Sequence, residues 1–242
     1  MEVSTVTTIT QRYERILARM ARAAQRVGRR PEEVRLVVVV KGQPLSRIQA
    51  VVEAGARDLG ENYPEQALPK MQALAQVPDL RWHMIGHLQR RKAKIVAQYF
   101  YMMHSVDGLR AAQALEKRLA QQDRTLPVLL EFNVGGEAQK HGWPAHDEAA
   151  WPALADAIAP VLEFPHLQVQ GLMTVPPWRD DPEAVRPFFR RLRCLRDFLA
   201  RRFPRHTWEH LSMGMSHDFE VAIEEGATFV RIGSAILGPR PG

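Results

Sequence analysis

The sequence lacks the features that several common protein classes require. It contains one cysteine, Cys194, so no internal disulfide can form, and it does not open with a basic and apolar signal peptide. Its longest wholly aliphatic run, residues 36–40, is far shorter than the roughly 20 residues of a membrane-spanning helix. These absences predict a protein without a membrane span, and they favour the reducing cytoplasm.

Signatures of nucleotide binding and of the common hydrolases are absent as well. The sequence has no G-x-x-x-x-G-K-[ST] phosphate loop, no G-x-G-x-x-G after the first predicted strand, and no G-x-S-x-G turn for a nucleophilic serine. His83 and His87 are four residues apart, but the H-E-x-x-H pattern of a zinc-binding helix is missing. We therefore expect no ATP or dinucleotide site, no serine nucleophile and no metal site.

An excess of positive charge is present and is unevenly distributed. Lys and Arg number 33 against 27 Asp and Glu, which gives a net charge of +6. The basic residues concentrate in segments 22–30, 90–94 and 186–202. Such clusters can contact nucleic-acid phosphates, but on amphipathic helices they are more often solvated outer faces. We therefore expect no nucleic-acid partner.

Short aliphatic and β-branched runs alternate with helical patterns along the chain. The predicted strands are residues 35–40, 57–60, 81–86, 99–104, 126–133, 167–174, 207–211 and 227–232. Helix-start signals lie between them, including a capping box at Ser46, an N-cap at Asp181 and an N-cap at Ser216. Eight strand–helix units predict an α/β fold, a (β/α)8 TIM barrel, as a single domain over residues 1–242.

Two features depart from this regular alternation. Pro69 lies within the predicted helix 63–74, where it removes a backbone hydrogen bond, so this helix is predicted to be kinked or shortened. Residues 233–242 are too few for a full closing helix, whereas an extra amphipathic helix opens the chain. We expect that N-terminal helix to cover the gap. Its predicted apolar stripe consists of Tyr13, Ile16, Leu17, Met20, Ala24 and Val27.

Lys41 follows the first predicted strand at the carboxyl end, which in TIM barrels is the edge where active sites assemble. Burial lowers the pKa of a lysine ammonium, and the neutral amine can attack an aldehyde. The alternative is a structural role in which Lys41 extends into solvent or pairs with Glu61.

Small residues follow the seventh and eighth predicted strands. Segment 212–216 reads Ser-Met-Gly-Met-Ser, and Gly-Ser follows the eighth strand. These two loops form the recurrent phosphate site of TIM barrels, in which glycine permits close backbone approach and serine supplies a donor. The candidates are Ser212, Gly214, Gly233 and Ser234, although serine and glycine are also ordinary turn residues.

Arg231 and Asn62 complete the candidate site. Inside a barrel the Arg231 guanidinium needs a partner, which can be Glu61, Glu209 or a ring nitrogen of a ligand. Asn62 follows the second strand, where it can donate to a ligand or cap the next helix. An aldehyde for Lys41, a phosphate for two loops and a ring nitrogen for Arg231 together describe pyridoxal 5′-phosphate (PLP).

Several motifs resemble those of the pyridoxal phosphate homeostasis proteins, a family whose single barrel is similar to the N-terminal domain of alanine racemase. The matching stretches lie between residues 36 and 238 and include VVVVKGQP, LGENYPEQ, WHMIGHLQRRK, HSVDGLRAAQAL, NVGGEAQKHG, GLMTVPP, LSMGMSHDFEVAI and VRIGSAILG. The resemblance implies a fold-type III PLP-binding barrel in which Lys41 holds PLP as a Schiff base. The other cofactor-binding residues that it implies are Ser212, Gly233 and Ser234 at the phosphate, Arg231 at the pyridine nitrogen, and Asn62 and His83 nearby.

The sequence departs from the family pattern at several positions. Ser234 stands where threonine is common, Gly42 and Gln43 follow the lysine where other residues are usual, and His217 occupies a place that is often small or acidic. Ser234 keeps the hydroxyl group, whereas His217 is expected to alter the electrostatics beside the phosphate.

The family is not associated with a settled enzymatic reaction, and the candidate site offers a physical reason. An arginine only donates, so a pyridine nitrogen that faces Arg231 is unprotonated and the ring is a weak electron sink. Racemases of this fold type tolerate the arrangement, but their second domain brings a tyrosine base. We expect a monomeric, non-enzymatic protein that stores, delivers or buffers PLP for apo-enzymes. The alternative is a weak PLP-dependent racemase or lyase.

Overall fold

A closed barrel of parallel strands forms the centre of the computed structural model, which describes residues 2–240 and the side chains from residue 6 onward. The strands are β1 (Arg35–Val39), β2 (Asp58–Glu61), β3 (Arg81–Met84), β4 (Met102–Val106), β5 (Leu126–Asn133), β6 (Trp143–Pro144), β7 (Leu167–Met173), β8 (His210–Ser212) and β9 (Phe229–Ile232). All except the short β6 belong to the barrel, which closes where β4 pairs with β5. The predicted eight-stranded TIM barrel is thus confirmed.

Helices alternate with these strands and surround the barrel. They are α1 (Glu2–Arg26), α2 (Leu45–Glu53), α3 (Pro64–Ala73), α4 (Ala93–Tyr99), α5 (Leu109–Ala120), α6 (Trp151–Leu162), α7 (Arg186–Arg202), α8 (Phe219–Glu224) and α9 (Ser234–Leu237). Successive strand residues face opposite sides, so Val38 joins the large apolar core between barrel and helices, whereas Val37 lies in a small apolar cluster inside the barrel. The strands are consequently buried on both faces.

Helix α1 packs against α2, α8 and α9. Because α9 has only four residues, α1 covers the part of the barrel that α9 leaves open, as predicted. The buried residues of its inner face are Ile9, Tyr13, Ile16, Met20, Ala23 and Ala24. Leu17 and Val27 were wrongly placed in the stripe, since they are 40% and 44% exposed. Leu17 lies beside the contact face, and Val27 follows the end of the helix.

Two of the predicted helix caps were wrong. Helix α2 begins after Pro44, and no side chain caps it, so the capping box at Ser46 does not form. Asp218 occupies the N-cap position of α8 in place of Ser216. In contrast, the predicted cap at Asp181 is confirmed for the 3-10 turn Pro182–Val185, which leads directly into α7: the Asp181 carboxylate accepts a hydrogen bond from the Glu183 amide at 2.9 Å.

Further element boundaries differ from the prediction, including the start of β8, which is His210 instead of residue 207. Helix α4 extends to Tyr99, so β4 begins at Met102 and ends at Val106 instead of spanning residues 99–104. Helix α3 continues through Pro69 to Ala73, so the predicted shortening is wrong. The proline removes one hydrogen bond to the Glu65 carbonyl, but the helix is only partly buried and tolerates the loss.

The basic clusters on the outer helices are extensively paired with carboxylates. Glu224 accepts from Arg26 at 2.8 Å and from Arg186 at 2.6 Å, and Glu225 accepts from Arg190 at 3.2 Å. These ion pairs favour the interpretation as solvated helix faces. None of the described helices combines the length and the apolar character that crossing a bilayer requires.

Candidate functional site

The predicted site residues converge at the carboxyl end of the barrel. Lys41 lies two residues after β1, Asn62 directly after β2 and Gly233 directly after β9. Ser212 is the last residue of β8, and Arg231 lies one residue before the end of β9. Because all barrel strands are parallel, their carboxyl ends open into one mouth, and the sequence prediction of a shared site is consistent with this placement.

Lys41 is half-buried at this mouth. Burial, and then the nearby positive charge of Arg240, lower the pKa of its ammonium, although Glu61 opposes the shift. The alternative in which Lys41 pairs with Glu61 does not occur among the described residues, where the ion pair of the Glu61 carboxylate is with Lys70 Nζ at 2.5 Å. Lys70 also donates to the Val40 carbonyl at 2.9 Å. Among the described residues, none binds Lys41 Nζ, which is therefore available to a ligand.

Arg231 points into the barrel, and its neighbours Val230 and Ile232 join the outer core. Its guanidinium donates to Ser212 Oγ at 2.6 Å and to the Thr174 carbonyl at 2.9 Å. These contacts use two of the five N–H donors of the guanidinium.

The partners proposed for Arg231 from the sequence, Glu61 and Glu209, do not contact it in the described structure. Burial lowers its pKa to about 10, and the negative charges of Glu131 and Asp218 oppose that shift. Arg231 therefore stays charged at neutral pH, and several of its donors remain for a ligand.

A buried hydrogen-bond chain links Arg231 to the opposite end of the barrel through Ser212, His104, His83 and Asp58. Ser212 Oγ lies 2.8 Å from His104 Nδ1, His104 Nε2 lies 2.9 Å from His83 Nδ1, and His83 Nε2 lies 2.8 Å from Asp58 Oδ1. His104 on β4 and Ser212 on β8 belong to strands that are not neighbours, so the chain crosses the barrel interior.

The two ends of the chain determine where its protons lie. Arg231 only donates, so Ser212 Oγ accepts from it and donates its own proton to His104 Nδ1. His104 then donates from Nε2 to His83, and His83 donates from Nε2 to the Asp58 carboxylate. Both histidines are neutral in this arrangement. Burial is the main cause that lowers the pKa of each imidazole, which agrees with that protonation.

The two loops predicted to bind phosphate contact each other. Ser216 Oγ, after β8, lies 3.3 Å from Ser234 Oγ, after β9. Gly214 has φ of +94°, and a Cβ there would lie 2.6 Å from the Cβ of Ala222, so only glycine fits. Ser212 differs from the other candidates because its hydroxyl is directed into the buried hydrogen-bond chain.

Comparison with known proteins identifies the family. A family model described as "Alanine racemase, N-terminal domain" matches residues 12–241. A pyridoxal phosphate homeostasis protein from Aquifex aeolicus is 42% identical over 230 residues, which cover 95% of this chain and 97% of the relative. The chain belongs to the pyridoxal phosphate homeostasis protein family.

Solved structures support the same assignment. PipY of Synechococcus elongatus with PLP bound is 30% identical, has a TM-score of 0.77, and matches 95% of this chain and 100% of its own. An alanine racemase from Clostridium difficile shares the fold, with 12% identity and a TM-score of 0.65, and this chain covers 57% of it. The resemblance that the sequence motifs indicate is therefore confirmed.

Asn62 does not have the helix-capping role that was one of its two expected roles. Tyr63 is the N-cap of α3, so the interpretation of Asn62 as a helix cap is wrong. Asn62 Oδ1 is buried and has no hydrogen-bond partner among the described residues. A buried acceptor without a donor is costly, and a polar ligand at the mouth would satisfy it.

His217, which departs from the family pattern, is held against the loop that follows β7. Its Nε2 donates to the Asp180 carbonyl at 2.9 Å, and its ring lies 4.7 Å from that of Trp178. These contacts occupy one face and one nitrogen of the imidazole. The expected effect of His217 on the phosphate loops stays a prediction.

The buried polar residues that the sequence analysis missed include His104, Asp58 and Glu131. Alternation along β4 places Met102 and His104 on the same side, and this pattern could have identified His104. Glu131 lies near the end of β5, where burial, and then the charge of Asp107, raise its pKa to about 7. A carboxyl group with this pKa can both accept and release a proton at neutral pH.

Proposed function

We propose that this protein binds PLP through a Schiff base on Lys41 and that it stores, delivers or buffers the cofactor. The observation that carries the proposal is the state of Lys41, whose ammonium has a lowered pKa and no partner among the described residues. The PLP-bound structure of PipY supports the choice of ligand. We further propose a monomeric, single-domain, cytoplasmic protein that supplies PLP-dependent apo-enzymes.

The remaining residues at the mouth have groups that suit each part of PLP. Gly233 and Ser234 are proposed to bind the phosphate together with the loop at Gly214. Arg231 would donate to the pyridine nitrogen with N–H groups that Ser212 and Thr174 do not use. The unpartnered Asn62 Oδ1 would accept from a polar group beside the ring. His83 is proposed to affect the cofactor only through the buried hydrogen-bond chain, because Ser212 and His104 lie between His83 and Arg231.

The environment of Arg231 favours a carrier over an enzyme. PLP supplies an electron sink only to the extent that its ring nitrogen is protonated or strongly polarised. Arg231 is charged, only donates, and is held in place by Ser212, so it keeps the facing nitrogen unprotonated.

A weak racemase or lyase activity is the second candidate, and Glu131 is the observation that favours it. Its pKa of about 7 and its position in the barrel suit a group that transfers protons near the cofactor. Steady turnover of an amino acid that disappears in Glu131→Gln would establish this alternative.

Absorbance and borohydride reduction test the proposed PLP site. The purified protein is expected to be yellow, and borohydride is expected to fix PLP covalently to the peptide that contains Lys41. Lys41→Ala is expected to be colourless, whereas Lys94→Ala, at an exposed lysine, keeps the colour. Protein that stays colourless with added PLP would refute the function, and labelling of another lysine would refute the assignment.

The two candidate serines, Ser234 and Ser212, are expected to behave differently. Ser234→Ala removes a hydrogen bond to a charged phosphate, worth about 1.5 to 3 kcal/mol, so PLP affinity should fall roughly tenfold to a hundredfold while pyridoxal affinity is unchanged. Ser212→Ala is expected to weaken both vitamers, because the Ser212 hydroxyl positions Arg231. Titrations of the apo-protein with PLP and pyridoxal measure this. A PLP-selective loss in Ser212→Ala would instead place its hydroxyl at the phosphate.

A further inference from the structure

A second group of polar side chains lies at the rim of the mouth, apart from Lys41 and the phosphate loops. It consists of His87 after β3, Asp107 directly after β4, and His141 shortly before β6. One possible ligand atom from each residue lies within 4.8 Å of the other two. We refer to these three residues as the rim triad. Neither the proposed PLP site nor the buried hydrogen-bond chain uses any of them.

The geometry of the rim triad differs from that of an ordinary ion pair. His87 Nδ1 and His141 Nδ1 both face the same oxygen, Asp107 Oδ2; the first is in hydrogen-bond contact and the second lies at 3.8 Å. The two imidazole rings stack with centroids 4.1 Å apart and an interplanar angle of 12°. Two imidazoles and one carboxylate that converge in this way form a donor set that binds transition metals.

The backbone next to each histidine is held closely against the barrel. A Cβ at Gly86 would lie 2.5 Å from the Asn62 carbonyl oxygen, so the chain before His87 is pressed against the loop after β2. Gly142, with φ of +105°, lies so close to β5 that a Cβ would be 2.9 Å from the Glu131 carbonyl oxygen. These close contacts fix the backbone positions from which the His87 and His141 side chains extend.

We propose that the rim triad binds a late first-row divalent metal ion of the Zn²⁺ class. Zinc ligands lie about 2.0 to 2.2 Å from the metal, which puts tetrahedral donor atoms roughly 3.3 Å apart. The rim triad approaches that spacing, and both histidine side chains are free to adjust, being 44% and 59% exposed. Three protein ligands leave one position open to water or to an anionic group at the mouth.

Zinc titration of untagged protein by calorimetry tests the proposal. We expect one equivalent of Zn²⁺ to bind, and we expect Co²⁺ at the same site to show visible ligand-field bands. His141→Ala and Asp107→Asn are each expected to weaken binding at least about tenfold, since even residues behind metal ligands commonly contribute that much. His166→Ala is the matched control, because His166 also pairs with a carboxylate, that of Glu116 at 2.7 Å, but does not belong to the rim triad.

The outcomes separate the rim triad from other sources of metal binding. Absence of saturable Zn²⁺ binding would overturn the proposal. Undiminished binding in His141→Ala and Asp107→Asn would also overturn it and would place the metal elsewhere, such as on the PLP phosphate. His141 is exposed, so its variant is expected to fold, and an unchanged circular dichroism spectrum checks this. The proposal does not depend on Lys41, and Lys41→Ala is expected to bind Zn²⁺ as the parent protein does.

Discussion

Deletion of residues 1–28 is expected to leave the protein insoluble or with a greatly lowered melting temperature, although none of the proposed cofactor ligands lies there. Helix α1 buries Ile9, Tyr13, Ile16 and Met20 against α2, α8 and α9. Four such side chains contribute about 6 to 12 kcal/mol, which is comparable with the whole stability of a typical domain. The measurement is solubility and thermal unfolding of the truncated protein.

Two adjacent residues of α1 provide a matched control for this interpretation. Ile16 is 2% exposed and Leu17 is 40% exposed. Ile16→Ala is expected to cost about 2 to 5 kcal/mol, whereas Leu17→Ala should have little effect. A soluble truncated protein with an unchanged melting temperature, or equal effects of the two substitutions, would show that α1 does not stabilise the barrel.

Gly171→Ala is expected to destabilise the barrel by about 4 kcal/mol or more, because it combines a steric clash with backbone strain. Gly171 on β7 has φ of +153°, and a Cβ there would lie 2.0 Å from the His210 carbonyl oxygen on β8. Neither strand can move away without breaking the closed barrel. For a domain of this size the melting temperature should fall by about 8 to 16 °C.

Gly108→Ala is the appropriate comparison for that substitution. Gly108 has an extended backbone, and a Cβ there would meet no atom within 4 Å. Gly108 is the N-cap residue of α5, a position where alanine is only moderately less favourable than glycine. Gly108→Ala is therefore expected to lower the free energy of unfolding by about 1 kcal/mol or less. If Gly171→Ala were no more destabilising than Gly108→Ala, the result would contradict the close contact between β7 and β8 at Gly171.

The sequence was most informative where local pattern determines position. Aliphatic runs identified the barrel strands, and the rule that barrel sites lie at strand carboxyl ends placed Lys41 and Arg231 at the mouth. The hydrogen bonds among the side chains around these two residues were not predictable in this way. Lys70 reaches Glu61 from helix α3, and His104 meets Ser212 across the barrel interior. Such contacts depend on how distant elements pack, which alternation within one strand does not encode.

The buried hydrogen-bond chain constrains how this sequence can diverge. Donors and acceptors alternate in one direction from Arg231 to Asp58, so each intermediate position must present an acceptor on one side and a donor on the other. A substitution of His104 alone by an apolar residue would remove the partner of both Ser212 and His83 in a dry interior. In related sequences that still fold, we expect these positions to change together. Residues that are far apart in the sequence should therefore co-vary.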